Sequence, residues 1–203
     1  MPNARKIVVE ALIPASVETV WERTQEPELH VAWDIRFDQI TYTGRKDERG
    51  YELLDYRTGI GFGVSVRGYG HYLQTTKLRH SSFEFDSKDW KSLIRNGRGI
   101  WLYEPRNGAT YFKTVYDYDV RHGILGQLVD RFVFRRVLQL ATEWGFETLR
   151  QWCAGDRSVL GPRRSRKAFI AFCGRRMMGR PPEAGAARSW LGRGREGEEP
   201  RGW

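Results

Sequence analysis

Apolar residues have the spacing of strands over most of the chain, with two short helical segments near its start and one long helical segment after the strands. Near the start, "IVVEALI" at 7–13 alternates apolar and polar positions, which is typical of a half-buried strand. Ser16 can cap the helical pattern "VETVWERT", and Pro27 opens a second short helix, "PELHVAW". Alternation resumes at Asp34 in "DIRFDQITYTG". The order predicted for this part is strand, helix, helix, strand.

The middle of the chain reads as an antiparallel meander. Its strand-like segments are "YELLDYRT", "VSVRGYGHYLQTTKL", "HSSFEFDS", "GRGIWLYEP" and "TYFKTVYDYDV". Between the last two, Asn107 and Gly108 form the dipeptide that most strongly favours a tight hairpin. With the two strands before them, these segments predict a sheet of about seven strands.

A long helix is predicted from Ile124 to Cys153, a stretch without proline. Its apolar stripe has positions three or four residues apart: Phe134, Leu138, Ala141, Gly145, Leu149 and Trp152, with Leu128 and Phe132 as its extension toward the N-terminus. A helix of about 30 residues is about 45 Å long and can cross a whole sheet. The small residues Ala141 and Gly145 indicate a close backbone contact or a space beneath them.

Composition indicates one globular domain with a core of its own. The chain has 203 residues, and 40% of them are hydrophobic, which is enough for a substantial core. The first strand follows the N-terminus too closely for a secretory signal, and no apolar run reaches the length of a membrane span. A cytoplasmic protein is therefore expected.

The positive charge is concentrated at the C-terminal end. Residues 155–203 hold 12 basic and 5 acidic residues, whereas residues 1–154 hold 22 and 20, so the overall +9 belongs mainly to the Gly-, Arg- and Pro-rich tail. The predicted organisation is a folded domain over 1–154 and a disordered basic tail over 155–203.

Three segments resemble the START/SRPBCC superfamily, which includes the birch pollen allergen and the polyketide cyclase/dehydratase proteins. They are "VVEALIPASVETVWERTQEPELHVAW", "GRGIWLYEPRNGAT" and "DRFVFRRVLQLATEWGFETLRQW", in the order of that family. The resemblance covers about Lys6 to Cys153 and implies an α+β helix-grip fold. In that fold a curved antiparallel sheet wraps around the long C-terminal helix and leaves an apolar cavity between them.

The expected function is binding of a small hydrophobic ligand, such as a lipid, a polyketide or an isoprenoid. Strand alternation and the resemblance select these residues as its lining: Trp33, Tyr69, His71, Phe83, Phe85, Trp101, Tyr116 and Tyr118. Trp33 follows the second short helix, where it either lines the cavity mouth or fixes the short helices to the sheet. Which side chains of a strand face the cavity depends on its exact register, because a shift of one residue turns every side chain to the opposite face.

Enzymatic activity is the first alternative, since Arg67, Tyr69, His71 and Trp101 could act as acid-base and orienting groups of a cyclase or dehydratase. No catalytic motif supports it, so a binding protein is favoured. The four histidines lack metal-ligand spacing, the two cysteines indicate neither a disulfide nor zinc, and no cofactor is expected.

The second alternative is an interaction protein that acts through the basic tail. The segment "GPRRSRKAFIAFCGRRMMGR" could lie on an anionic membrane or stack on nucleic acid. A plain disordered tail is favoured over both partners. The sequence predicts no oligomeric state.

Overall fold

A computed structural model describes residues 6–61, 64–76, 78–160 and 162–177. These residues form one seven-stranded antiparallel sheet with the order β1-β7-β6-β5-β4-β3-β2. The strands are β1 (Ile7–Ile13), β2 (Gln39–Lys46), β3 (Glu52–Gly61), β4 (Val64–Thr76), β5 (His80–Asp86), β6 (Ile94–Arg106) and β7 (Ala109–Val120). The predicted meander and its seven strands are confirmed.

Two short helices, α1 (Val17–Gln25) and α2 (Pro27–Trp33), lie between β1 and β2. Ser16 caps α1 by accepting a hydrogen bond from the Thr19 backbone N–H at 3.4 Å, and Pro27 opens α2. Strand β2 begins at Gln39, five residues later than the alternation suggested, since Asp34 ends α2 and its side chain bonds the Arg36 backbone N–H at 3.1 Å. That bond turns the chain before the strand can start.

The β6–β7 hairpin forms as Asn107 and Gly108 predicted. Both residues have positive φ angles, 48° and 77°, as the favoured two-residue hairpin turn requires. Pairing then runs from Arg106 and Ala109 along both strands. In β7 every second residue from Thr110 to Tyr118 faces inward and is buried. Register along this hairpin decides which side chains face the long helix.

Helical structure follows β7 in three consecutive pieces: α3 (Gly123–Val129), a π-helical turn (Asp130–Phe134) and α4 (Arg135–Cys153). The predicted stripe is confirmed, since Ala141, Leu149 and Trp152 are buried and Phe134 and Leu138 pack against the core. Its predicted extension is wrong, because Leu128 and Phe132 are 48% and 68% exposed. A π-turn holds more residues than an α-turn, so it rotates the preceding residues out of the stripe.

The core lies between α4 and the half of the sheet formed by β1, β7 and β6. Phe146 of α4 stacks on Phe112 of β7 with ring centroids 4.6 Å apart, and both are fully buried. Trp101 and Tyr103 of β6 complete this aromatic layer. Since each ring carries a large apolar area, this layer supplies much of the hydrophobic stabilisation of the fold.

Beyond α4, the segment expected to be a disordered tail contains a further helix, α5 (Pro162–Met177). Phe169 and Phe172 of α5 lie against Trp144 of α4, with ring centroids 6.2 Å and 5.2 Å away. These half-buried rings hold α5 against α4. The domain boundary at residue 154 stays a prediction, and residues 178–203 lie outside the described residues.

Candidate functional site

Three aromatic rings lie flat on the inner face of the sheet, each across a glycine of the neighbouring strand. A Cβ atom added to Gly97 or Gly99 would fall 2.3 Å from the ring of Phe85 or 2.6 Å from that of Phe83. One added to Gly68 would fall 2.1 Å from the ring of Tyr56. We call Tyr56, Phe83 and Phe85 the aromatic floor.

The aromatic floor faces the long helix and is only half buried. Facing it across the concave side of the sheet, Phe134 and Leu138 are also only partly covered. Phe37, from the turn after α2, contacts Tyr56 edge-on at 5.6 Å between centroids. The concave side is thus closely packed near β1 and β7 and presents accessible apolar rings toward β3, β4 and β5, as a ligand cleft requires.

A buried charged cluster supports one end of this surface. Asp34 is fully buried and accepts hydrogen bonds from Arg36, at 2.9 Å from Nε and 2.6 Å from Nη2. The His30 Nε2 atom lies 3.0 Å from Asp34 Oδ2, the oxygen that also accepts from Arg36 Nη2. Burial alone would raise the pKa of Asp34, but the charge and hydrogen bonds of Arg36, together with His30, hold that pKa far below its usual range.

Arg36 connects this cluster to the sheet and to the long helix by hydrogen bonds. Its Nη1 donates to Thr142 Oγ1 of α4 at 3.0 Å and to the Tyr116 hydroxyl of β7 at 3.4 Å. Tyr116 and Thr142 are themselves 2.7 Å apart. Burial raises the pKa of Tyr116, although the Arg36 charge opposes that shift, so the phenol stays protonated at neutral pH.

A second buried carboxylate holds the π-turn against the sheet. Tyr118 of β7 donates to Asp130 Oδ1 at 2.5 Å, and Arg135 Nε donates to Asp130 Oδ2 at 2.9 Å. Burial, with Asp130 alongside, raises the pKa of the Tyr118 phenol. The bond and the ion pair fix the rotation of the chain at the start of the long helix.

Five of the eight predicted lining residues lie on the inner face, with Phe83 and Phe85 on its accessible part. Trp101, Tyr116 and Tyr118 also point inward but are at least 96% buried among other core groups. The structure therefore brings the predicted rings of β5, β6 and β7 to one side of the sheet.

Trp33 fixes the short helices to the long one. It is 2% exposed, its Nε1 donates to the Arg23 carbonyl at 2.9 Å, and its ring stacks on His30. The same ring fills the space above Gly145, where an added Cβ would lie 3.2 Å from it. The structure therefore makes Trp33 a core residue and not part of the cavity mouth, but its contacts join the short helices to the long helix instead of to the sheet.

Tyr69 and His71 were assigned to the wrong face of β4. They pair with Asp86 and Glu84 of β5, which point outward, whereas Gly68 and Gly70 face the helix. The space above Gly68 is taken by the ring of Tyr56 from the next strand. A glycine can therefore occupy the inner face of a strand when an aromatic side chain from the neighbouring strand covers it.

On the outer face, Tyr69 and His71 border a polar cleft of about 270 Å³. Glu84 Oε2 lies 3.0 Å from His71 Nε2 and 3.1 Å from Arg49 Nη2, and Tyr51 stacks on the imidazole. Charged groups at this density make the outer cleft unsuited to a hydrophobic ligand.

Sequence reasoning missed Tyr56, Phe37 and the Asp34–Arg36 pair. Tyr56 could have been found from Gly68, since an aromatic residue often covers a strand glycine. Burial of Asp34 had no signal in the local pattern, because charged residues are seldom fully buried.

No protein-family model matches the chain. It is 37% identical over 174 residues to the uncharacterized membrane protein YndG of Bacillus subtilis strain 168. That match covers 83% of this chain and 65% of YndG, so the chain spans about two thirds of the length of its relative. In the part of the chain that the structure describes, no helix has the length and apolar character of a membrane span.

Solved structures of low sequence identity share the fold. The crystal structure of the protein TTHA0849 from Thermus thermophilus matches with a TM-score of 0.58 and 16% identity, over 74% of this chain and 98% of that one. A START superfamily protein from Mycobacterium smegmatis matches with a TM-score of 0.52 and 13% identity, over 70% and 96%. With its strand order, two short helices and closing helix, the chain has the helix-grip fold of the START/SRPBCC superfamily.

Proposed function

We propose that the chain binds a small hydrophobic ligand against the aromatic floor, between the sheet and the N-terminal half of the long helix. One observation carries this proposal: Tyr56, Phe83 and Phe85 lie flat across glycines and keep accessible faces on the concave side of the sheet. Rings in that position offer a broad apolar surface without filling the space above it.

The ligand is mainly apolar because the exposed groups on this side are aromatic and aliphatic. The charges of the buried cluster, on Asp34 and Arg36, neutralise each other at 2.6 Å. A lipid, a polyketide or an isoprenoid fits this chemistry.

The cyclase or dehydratase alternative required four residues to line one site, and these residues lie on opposite faces of the sheet. Arg67, Tyr69 and His71 lie on the outer face of β4, and Trp101 lies on the inner face of β6. A single substrate cannot contact all four through the sheet. A non-catalytic binding protein is the function that the geometry favours.

Phe83→Ala tests the proposed cleft with N-phenyl-1-naphthylamine, a neutral fluorescent probe, because Phe83 belongs to the aromatic floor and does not border the outer cleft. The variant removes a half-buried ring from the aromatic floor. We expect the probe Kd, measured by fluorescence titration, to rise about tenfold, as loss of part of one aromatic contact predicts.

Tyr69→Ala is the matched control, since it removes a half-buried ring from the opposite face of the adjacent strand. Its probe Kd should stay within about twofold of that of the wild type, a difference well under 1 kcal/mol. Equal weakening by both substitutions, or weakening by Tyr69→Ala alone, contradicts the proposed site.

A further inference from the structure

A stripe of large apolar side chains runs along the outside of α3 and the π-turn. Its six members, which we call the apolar stripe, are between 45% and 79% exposed: Ile124, Leu125, Leu128, Val129, Phe132 and Val133. They follow one helical face and span about 15 Å at 1.5 Å per residue. Contiguous exposed apolar surface of this kind marks an interaction site.

This segment is oriented with its apolar residues outward because its inward positions are specifically fixed. Gly126 packs so closely on the Arg121 carbonyl that an added Cβ would overlap it. One turn later, Asp130 points inward and is held by Tyr118 and Arg135. Since rotating the helix would break the buried carboxylate's bonds, the exposure of the apolar stripe is built into the fold.

An exposed tryptophan lies at the same end of the molecule. Trp90, 75% exposed, belongs to the β5–β6 loop, and this loop is attached to the start of α3. The Arg121 backbone N–H donates to the Leu93 carbonyl at 2.8 Å, and the Arg121 guanidinium donates to the Ser87 carbonyl. The loop and the start of α3 are therefore held together at one end of the sheet.

The exposed charges of this surface are mainly basic. Lys88 and Lys91 flank Trp90, while Arg131 and Arg136 lie beside the apolar stripe. In the loop, Asp89 is paired with Lys91 at 3.4 Å. Within the helical segment the one carboxylate, Asp130, is buried. An apolar face with cationic neighbours complements an anionic lipid surface.

We propose that the apolar stripe and Trp90 dock this domain on an anionic lipid bilayer. The aliphatic side chains enter the boundary between headgroups and acyl chains, where tryptophan is also favoured, and the basic side chains contact the headgroups. This inference does not depend on the proposed ligand, because the stripe faces away from the aromatic floor.

The test is co-sedimentation of the full chain with vesicles of phosphatidylcholine, with or without phosphatidylglycerol. Wild-type protein should bind the anionic vesicles more tightly. Leu125→Glu and Phe132→Glu, at positions 71% and 68% exposed, should each weaken that binding about tenfold or more without loss of folding. Circular dichroism checks that the variants are folded.

Two matched controls change exposed apolar residues elsewhere. Leu12→Glu on β1 and Ile170→Glu on α5, at positions 55% and 70% exposed, should leave vesicle binding unchanged. Binding lost in Ile170→Glu but kept in Leu125→Glu would assign the contact to the basic C-terminal region and overturn the proposal. The proposal is also overturned if the wild-type protein does not bind the vesicles. If the wild type does not bind vesicles and Leu125→Glu converts a dimer into a monomer, the apolar stripe is a contact between two copies of the chain.

Discussion

Asp34→Ala should lower the free energy of unfolding by about 3–5 kcal/mol, the effect of removing one partner from a buried ion pair. Arg36, whose side chain is 15% exposed, would keep its charge in the core without the carboxylate that accepts three of its hydrogen bonds. His30 would lose its partner in the same change. Chemical denaturation at neutral pH measures the loss.

Glu104→Ala is the control for that experiment. Glu104 also pairs with an arginine, Arg106, at 2.9 Å, but both side chains are 55% exposed. Surface pairs contribute about 0–1 kcal/mol, so this variant should be nearly as stable as the wild type. Similar losses in the two variants would show that Asp34 is not a structural centre of the fold.

The same carboxylate gives stability a definite dependence on pH. Because the folded-state pKa of Asp34 is lowered, its contribution is fully present above the unfolded-state pKa of about 3.9. It is lost progressively as the pH falls below that value toward the lower folded-state pKa. Acid unfolding of the wild type should reflect this loss, whereas Asp34→Ala should lack that component of the pH dependence.

Trp33→Ala should also destabilise the protein by about 3–5 kcal/mol, as loss of a buried tryptophan does. The substitution empties the space between α2 and Gly145 and removes the Nε1 bond to the Arg23 carbonyl. Under conditions where the variant stays folded, its affinity for N-phenyl-1-naphthylamine should be unchanged, because Trp33 belongs to the core.

Trp90→Ala provides the comparison with an exposed tryptophan. At 75% exposure its loss should change stability by no more than about 0.5 kcal/mol. A stable Trp33→Ala variant that had lost probe binding would instead place Trp33 in the ligand site.

The order of elements could be predicted because it depends on local chemistry. Ser16 and Pro27 mark helix starts, Asn107 and Gly108 require a hairpin, and the alternation of β7 matches its burial. Each of these signals acts within a few residues and is visible in a single segment.

The facing of β4 could not be predicted because it depends on a neighbouring strand. In "RGYGHY" the rings of Tyr69 and His71 suggested an inner face, but the space above Gly68 is filled by Tyr56, twelve residues earlier. The exposure of Leu128 and Phe132 was missed for a related reason. A constant helical period ignores the π-turn at Asp130–Phe134, which is held by the distant Tyr118.

The most direct measurement is a crystal structure of the full chain with N-phenyl-1-naphthylamine bound. We predict that the probe lies on the concave side of the sheet, with its rings within about 4 Å of Phe83 and Phe85. A probe found in the outer cleft beside Tyr69 and His71, or on the apolar stripe with the aromatic floor empty, would contradict the proposed function.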